Sequence, residues 1–383
     1  MNPVIGRRGA VVSPHSLASQ AGLDILREGG NAIEAAIAVA ATLAVVYPHM
    51  TGIGGDGFWL LRAPGQVMNS IDACGATGAS VTRALYGRLA SIPWRGPLAA
   101  NTVAGTVSGW GAAYDYSRTR WGGCLPFARL LESAIYYARE GFPVTRSQEE
   151  TTRAKLADLI AQPGFAQTFL HQGEVPLYGQ RHHFPTLAAT LEQLARNSAD
   201  DFYRGELAQQ IADDLAAIGS PLTAADLSRH QAQIKPPLQL HLPDATLYNL
   251  APPTQGLASM LILGIYDRIR QTHWTPDNAE GIHALVEATK QAFLIRDRYV
   301  TDPAIMTMDP AVLLKGKNLD ALAAAIPLQH ASPWPAPASD GDTTWIGVVD
   351  AAGRAVSLIQ SIYFEFGSGV VLPGSGIWWQ NRG

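Results

Sequence analysis

Cysteine is scarce in this chain: two in 383 residues, Cys74 and Cys124. Two cysteines cannot build a disulfide framework, and no CxxC spacing offers a zinc site. Charge is sparse as well. Only 16% of residues are charged, with 28 Lys and Arg against 32 Asp and Glu and a net charge of −4. No basic block occurs, so neither nucleic acid nor an anionic membrane is expected as a partner. Long apolar runs are also missing. Residues 35–46 form an apolar stretch of about 12 residues, whereas a membrane span needs about 20. The opening Met1-Asn-Pro-Val-Ile-Gly-Arg-Arg has no apolar stretch behind its charges, so no signal peptide is expected and the protein is read as soluble and cytoplasmic.

Apolar residues are plentiful, 47% of the chain, enough for a large buried core. At about 150 residues per domain, the length suits two or three units or one layered α/β body. Residues 16–46 read as helices. Leu17, Ala21, Ile25 and Leu26 line one face, Gly29-Gly30 stops the first helix, and Asn31 caps a second from Ala32 with Glu34 at its third position. Residues 52–57, Gly-Ile-Gly-Gly-Asp-Gly, read as a turn, and 58–62 as a short buried strand. Further helices are expected over 125–140, 185–199, 206–219 and 284–299. The proline-rich stretch 331–342 reads as an exposed linker. After it, 343–350 and 354–361 form a hairpin signal around the turn 351–353. Residues 377–379, Ile-Trp-Trp, read as an apolar strand close to Gly383. A hairpin placed so late has little sheet to join unless more strands follow, so the chain is expected to lack part of the natural protein.

Several motifs have plain structural readings. Gly52, Gly54 and Gly57 fit G-x-G-x-x-G, but a dinucleotide loop follows a strand and opens a helix, and here that order is reversed. His182-His183 has no third ligand at metal spacing and reads as a surface pair. Glu287 with Lys290, and His283 with Glu287, read as solvated contacts along one helix. Asp297 and Asp302 read as a cap or a salt bridge. Neither a G-x-S-x-G elbow nor a Walker loop is present.

Thr343 is different. It opens a strand directly after the linker. If the Asp342–Thr343 bond is cut, Thr343 gains a free α-amine, of intrinsic pKa about 7.7–8.0, beside its own hydroxyl. Such a residue can act as nucleophile and base in one, attacking an amide or ester carbonyl. The same hydroxyl could first attack the Asp342 carbonyl. On the residues alone, an ordinary strand start is the reading that Thr343-Thr344 favours.

The chain resembles the γ-glutamyltranspeptidase family of N-terminal-nucleophile hydrolases. The resemblance is carried by Gly9-Ala-Val-Val-Ser-Pro-His15, Gly29-Gly-Asn-Ala32, residues 48–57 and Val103-Ala-Gly-Thr-Val-Ser-Gly-Trp110. It continues in order through Pro252-Pro-Thr-Gln-Gly256, His283-x3-Glu287-Ala288-x-Lys290-x-Ala292-Phe293-x2-Arg296, Asp342-Thr-Thr and Phe366-Gly-Ser-Gly369. It implies a mixed α/β (α+β) fold, a four-layer αββα sandwich, made as a precursor that cuts itself. The large subunit would be residues 1–342, and 343–383 the first part of the small one, the two forming one integrated body. Thr343 would be the nucleophile for processing and turnover, with Ser361 in place of the family's supporting threonine. The family's oxyanion-hole glycines and the acidic residue that holds the substrate's amino group would lie beyond Gly383. No cofactor or metal is implied. The partners implied are a small-molecule amide and the two subunits of one precursor, with a homodimer left open.

Three departures bear on substrate. Where γ-glutamyl-transferring members carry an arginine that clamps the glutamyl carboxylate, this chain has Cys74, within Asp72-Ala-Cys-Gly-Ala-Thr-Gly78. Losing such a charge-assisted contact costs roughly 1.5–3 kcal/mol. The family's asparagine two residues after the hydroxyl position is Tyr363, and its glutamine after two asparagines is Arg382. The pattern is similar to that of the family's amidohydrolases that release ammonia from oxamate, with Arg382 meeting a small anion. A γ-glutamyltransferase or glutathione hydrolase, a β-lactam side-chain acylase, and an unprocessed binding relative remain alternatives.

Overall fold

The computed structural model describes residues 6–270, 278–334 and 343–382. The chain divides into two compact units, residues 1–67, 71–234 and 341–383 in one, and 68–70 and 235–340 in the other.

The first unit is organised on a six-stranded sheet. Its strands are β1 (Gly9–Val12), β2 (Asp56–Arg62), β3 (Asn69–Ala73), β4 (Gln233–Lys235), β5 (Thr344–Asp350) and β6 (Ala355–Ser361), in the spatial order β1-β5-β6-β2-β3-β4. The hairpin β5–β6 is antiparallel, with Ala355 opposite Val349 and Gln360 opposite Thr344. On its outer sides β6 pairs with β2 and β5 with β1. The expectation of a hairpin short of partners is therefore corrected. Its neighbours come from the first 62 residues, and the hairpin lies inside the sheet. The strand expected at 377–379 does not form either. Trp378 and Trp379 make only isolated bridges, to Val371 and Gly54, and bury their indoles with Nε1 donating to Thr51 O and Thr102 O, both at 2.9 Å.

Two consecutive helices, α1 (Ser16–Arg27) and α2 (Ala32–Val46), match the reading of residues 16–46. All of α2 is buried, as suits a helix apolar on every side. Its start is held by a capping box. The Asn31 side chain accepts from Ile33 N and Glu34 N, while Glu34 Oε2 accepts from Asn31 N at 2.8 Å. Asn31 Nδ2 also donates to Ser117 Oγ at 2.6 Å. Beneath the sheet, Ala32 N donates to Asp350 Oδ2 (3.1 Å), and the Gln360 side chain donates to Ala40 O (3.0 Å). Replacing Asn31 by Ala removes the cap and a buried partner. The expected result is a loss of about 1–2 kcal/mol, read as a lower urea midpoint at unchanged slope.

The helices expected over 125–140, 185–199 and 206–219 run Phe127–Glu140, Pro185–Asn197 and Glu206–Ile218, each end within two residues of expectation, and this unit holds two further helices of similar length, Thr106–Arg120 and Arg146–Leu159. Along β5, Thr344, Ile346, Val348 and Asp350 are buried while Trp345 and Val349 are exposed. The outward side of the sheet also carries exposed Val12 and Ile359. Buried and exposed residues thus alternate across the sheet, with the α2 side closed and Val12, Trp345, Val349 and Ile359 exposed on the other. His182 is not a surface residue. It is buried in a two-residue ladder with Phe142, a ring nitrogen lies 2.8 Å from Thr168 O, and burial lowers its pKa. His183 alone is exposed.

The second unit packs a hairpin, Leu238–His241 with Thr246–Asn249, and the helices Gly256–Ile269 and Ala279–Tyr299 around Leu257, Leu261, Ile265, Ala288 and Leu319. The last helix begins five residues earlier than expected because Asn278 caps it, accepting from Gly281 N at 2.8 Å. Here the reading of Glu287 and Lys290 as a solvated pair is also corrected. Glu287 is fully buried, and its Oε1 accepts from Lys290 Nζ (2.6 Å) and Ser332 N (3.1 Å), while Lys290 donates to Ser332 O (2.7 Å). The main chain at Ser332 shields the pair from water. Asp297 pairs with Arg296 at 2.7 Å, and Asp302 caps a turn through Ala304 N.

Candidate active site

The turn 52–57 leads from α2 into β2, as the sequence order requires. Its glycines serve close packing. A Cβ on Gly54 would lie 2.1 Å from Trp378 O, and one on Gly55 would lie 2.3 Å from Ser361 O. With no side chains in the way, residues 377–382 settle against the start of β2, where Gln380 N donates to Gly54 O at 3.0 Å.

Asp56, at that start, was not singled out by sequence reasoning. The available signal was one acidic residue in a turn otherwise of glycine and isoleucine. Its side chain is completely buried. Oδ1 accepts from Gly75 N (3.0 Å), Gly105 N (3.1 Å) and Gln380 Nε2 (3.2 Å). Oδ2 faces Cys74 Sγ at 3.7 Å and Arg382 Nε at 3.0 Å. The last contact is an ion pair, since Nε is not aligned for a hydrogen bond. Four donors, one cation and no acceptor surround the group, the environment of an ionised carboxylate. Burial pushes its pKa up, against the downward pull of Arg382 and the N–H donors. Burial and the nearby Asp56 also drive the Cys74 thiol well above its usual range, so Cys74 is a neutral thiol.

The Arg382 guanidinium lies over the Tyr363 ring at 5.1 Å and near Phe58 at 5.8 Å. Among the described residues, no hydrogen bond from its terminal nitrogens is found. Tyr363 adopts φ +79°, a left-handed conformation costly for a side-chain-bearing residue, and its N–H donates to Ser361 Oγ at 2.9 Å. Cys74, Tyr363 and Arg382, distant in sequence, therefore meet around Asp56.

Ser361 and Thr343 join this group through strand register. Ser361 is directly opposite Asp56. The β5–β6 ladder ends at Thr344 opposite Gln360. One further step along that register sets Thr343 opposite Ser361. Side chains alternate along a strand, so Thr343, Ser361 and Asp56 share the sheet face that carries Trp345, Ile359 and Phe58. Thr343 is exposed and, with Val12, Ser13, Pro14, Tyr47 and Met50, lines a cavity of about 320 Å³. Asp342 lies outside the described residues. Among the described residues, no group of three or more His, Cys, Asp or Glu side chains could hold a metal ion, and no helix is long and apolar enough to cross a membrane.

Residues 18–383 match the family model described as gamma-glutamyltranspeptidase. The chain belongs to the γ-glutamyltranspeptidase family. Within it, the chain is 53% identical over 379 residues to the oxamate amidohydrolase proenzyme of Klebsiella pneumoniae, covering 99% of this chain and 71% of that protein. It is 40% identical to the glutathione hydrolase-like YwrD proenzyme of Bacillus subtilis, with the same coverage of both chains. Among solved structures, the cephalosporin acylase from Bacillus halodurans superposes with a TM-score of 0.90 at 33% identity, over 100% of this chain and 70% of that one. The fold is thus that of the family's N-terminal-nucleophile hydrolases, and the chain is a γ-glutamyltranspeptidase-family enzyme.

Proposed function

We propose that this enzyme is a self-processing amidohydrolase that hydrolyses a small carboxylated amide, oxamate, to oxalate and ammonia. The precursor breaks between Asp342 and Thr343, giving a large subunit of residues 1–342 and a small subunit that starts at Thr343 and includes 343–383. The freed α-amine takes the proton of the Thr343 hydroxyl, and Oγ attacks the amide carbon. The C–N bond then breaks as the amine returns the proton to the departing nitrogen. Ammonia leaves and an ester stays on Oγ. Water, deprotonated by the same amine, attacks the ester, releases oxalate and restores the hydroxyl. In its contact with Tyr363 N, Ser361 Oγ only accepts, which leaves its own proton to donate to the nucleophile.

One observation carries the substrate reading: the three departures from the γ-glutamyl pattern form one cluster. Cys74 supplies no cation where the family's arginine would stand, and Arg382 brings one to the Asp56 side of the site. A small acid amide would set its carboxylate on Arg382, and the Tyr363 ring beside that guanidinium takes up room on the same side of the site. The name of the Klebsiella pneumoniae relative supports the same substrate. The Bacillus subtilis relative's name and the acylase structure support the runner-up, hydrolysis of a γ-glutamyl or side-chain amide. Ammonia release from oxamate, measured beside anilide release from a γ-glutamyl chromogen, separates the two. Oxamate turnover with little γ-glutamyl turnover is expected, and strong γ-glutamyl turnover with none on oxamate overturns the proposal.

A further inference from the structure

Asp56 takes no part in the reaction described above, yet a buried carboxylate is costly unless its charge is put to use. A neutral amide could serve Gly75 N and Gly105 N through the same oxygen. It could not hold a guanidinium as an ion pair. We propose that Asp56 is the positioning residue for Arg382, fixing the arginine so that its terminal nitrogens face the carboxylate of the substrate. This rests on the reading that Arg382 receives that carboxylate.

The geometry defines the guanidinium from two sides. Oδ2 of Asp56 lies 3.0 Å from Nε, and the ring of Tyr363 lies 5.1 Å from the guanidinium carbon. With its Nε side committed, the planar fork still has two terminal nitrogens, the pair that binds a carboxylate in bidentate fashion. Asp56 is itself held by Gly75 N, Gly105 N and Gln380 Nε2, so the arginine is anchored to a rigid part of the sheet and does not have to be ordered when substrate arrives. Cys74 completes the arrangement as a neutral neighbour of the same Oδ2, where a second cation would compete for Asp56.

The test is a double-mutant cycle on the processed full-length enzyme, with oxamate as substrate and KM and kcat read separately. Asp56→Asn is expected to raise KM about ten- to a hundredfold, the scale of a lost charge-assisted contact, with kcat within a few-fold of wild type. The double variant Asp56→Asn/Arg382→Gln should be no worse than Arg382→Gln alone, because Asp56 then has nothing to position. Additive losses, or an Asp56→Asn defect confined to kcat, overturn the proposal. Arg382→Lys leaves the buried carboxylate in place and keeps the charge but loses the fork. It should also raise KM, and a wild-type KM overturns the proposal even where Asp56→Asn fails to mature. Wild-type enzyme inactive on oxamate rejects the substrate reading and this inference with it, whereas an active wild type with an additive cycle rejects the role of Asp56 alone.

Discussion

The full-length Thr343→Ala precursor is expected to remain a single uncut chain and to lose amide hydrolysis by at least about 10³-fold, the scale on which enzymes fail when their nucleophile is removed. Both effects share one atom. The hydroxyl that would attack the Asp342 carbonyl in the precursor is the hydroxyl that would attack substrate afterwards. Thr343 is placed for this at the outer end of β5, exposed, beside the cavity lined by Pro14, Tyr47 and Met50. Denaturing electrophoresis with N-terminal sequencing of the smaller fragment checks it. A Thr343→Ala protein that still yields two fragments refutes the assignment. Thr343→Ser should mature and keep part of the activity, because the hydroxyl persists.

Ser361→Ala should mature into a folded enzyme with turnover reduced by about 10²-fold, the usual cost of one lost hydrogen-bond donor in a preorganised site. Register sets Ser361 between Thr343 and Asp56, and its Oγ also accepts from Tyr363 N at 2.9 Å. On the proposed assignment the variant loses a donor to the nucleophile, and it loses the contact with Tyr363 N. Ser361→Thr keeps the hydroxyl and should restore most of the rate. Unchanged kcat in Ser361→Ala, with a melting temperature near that of wild type, would reduce Ser361 to a strand residue.

The elements that sequence alone located are those whose determinants are local. The spacing of Asn31 and Glu34 is a capping box whatever surrounds it, and a helix apolar on all sides has to be buried, so α2 was legible end to end. The β5–β6 hairpin announced itself through two strand-like runs either side of Ala351-Ala352-Gly353, and the ordered family motifs carried the fold class and the candidate nucleophile. Misreadings arose where burial depends on a distant segment. Nothing near Glu287 in sequence shows that Ser332 will close over it, and nothing near His182 shows that Thr168 will meet its ring.

The same division runs through the site. Sequence, set against the family pattern, determined that Cys74, Tyr363 and Arg382 depart from the γ-glutamyl arrangement, because each is a change of residue type at an aligned position. It could not determine that the three departures belong together, since they are separated by up to 308 positions and connected by no motif. Tertiary structure decided that. The glycines at 54 and 55 let residues 377–382 pack onto the start of β2, and the side chain that follows them directly is Asp56. A carboxylate enclosed at that point needs donors from every side, so the Gly75 and Gly105 amides, the Cys74 thiol and the Arg382 guanidinium are drawn to one place.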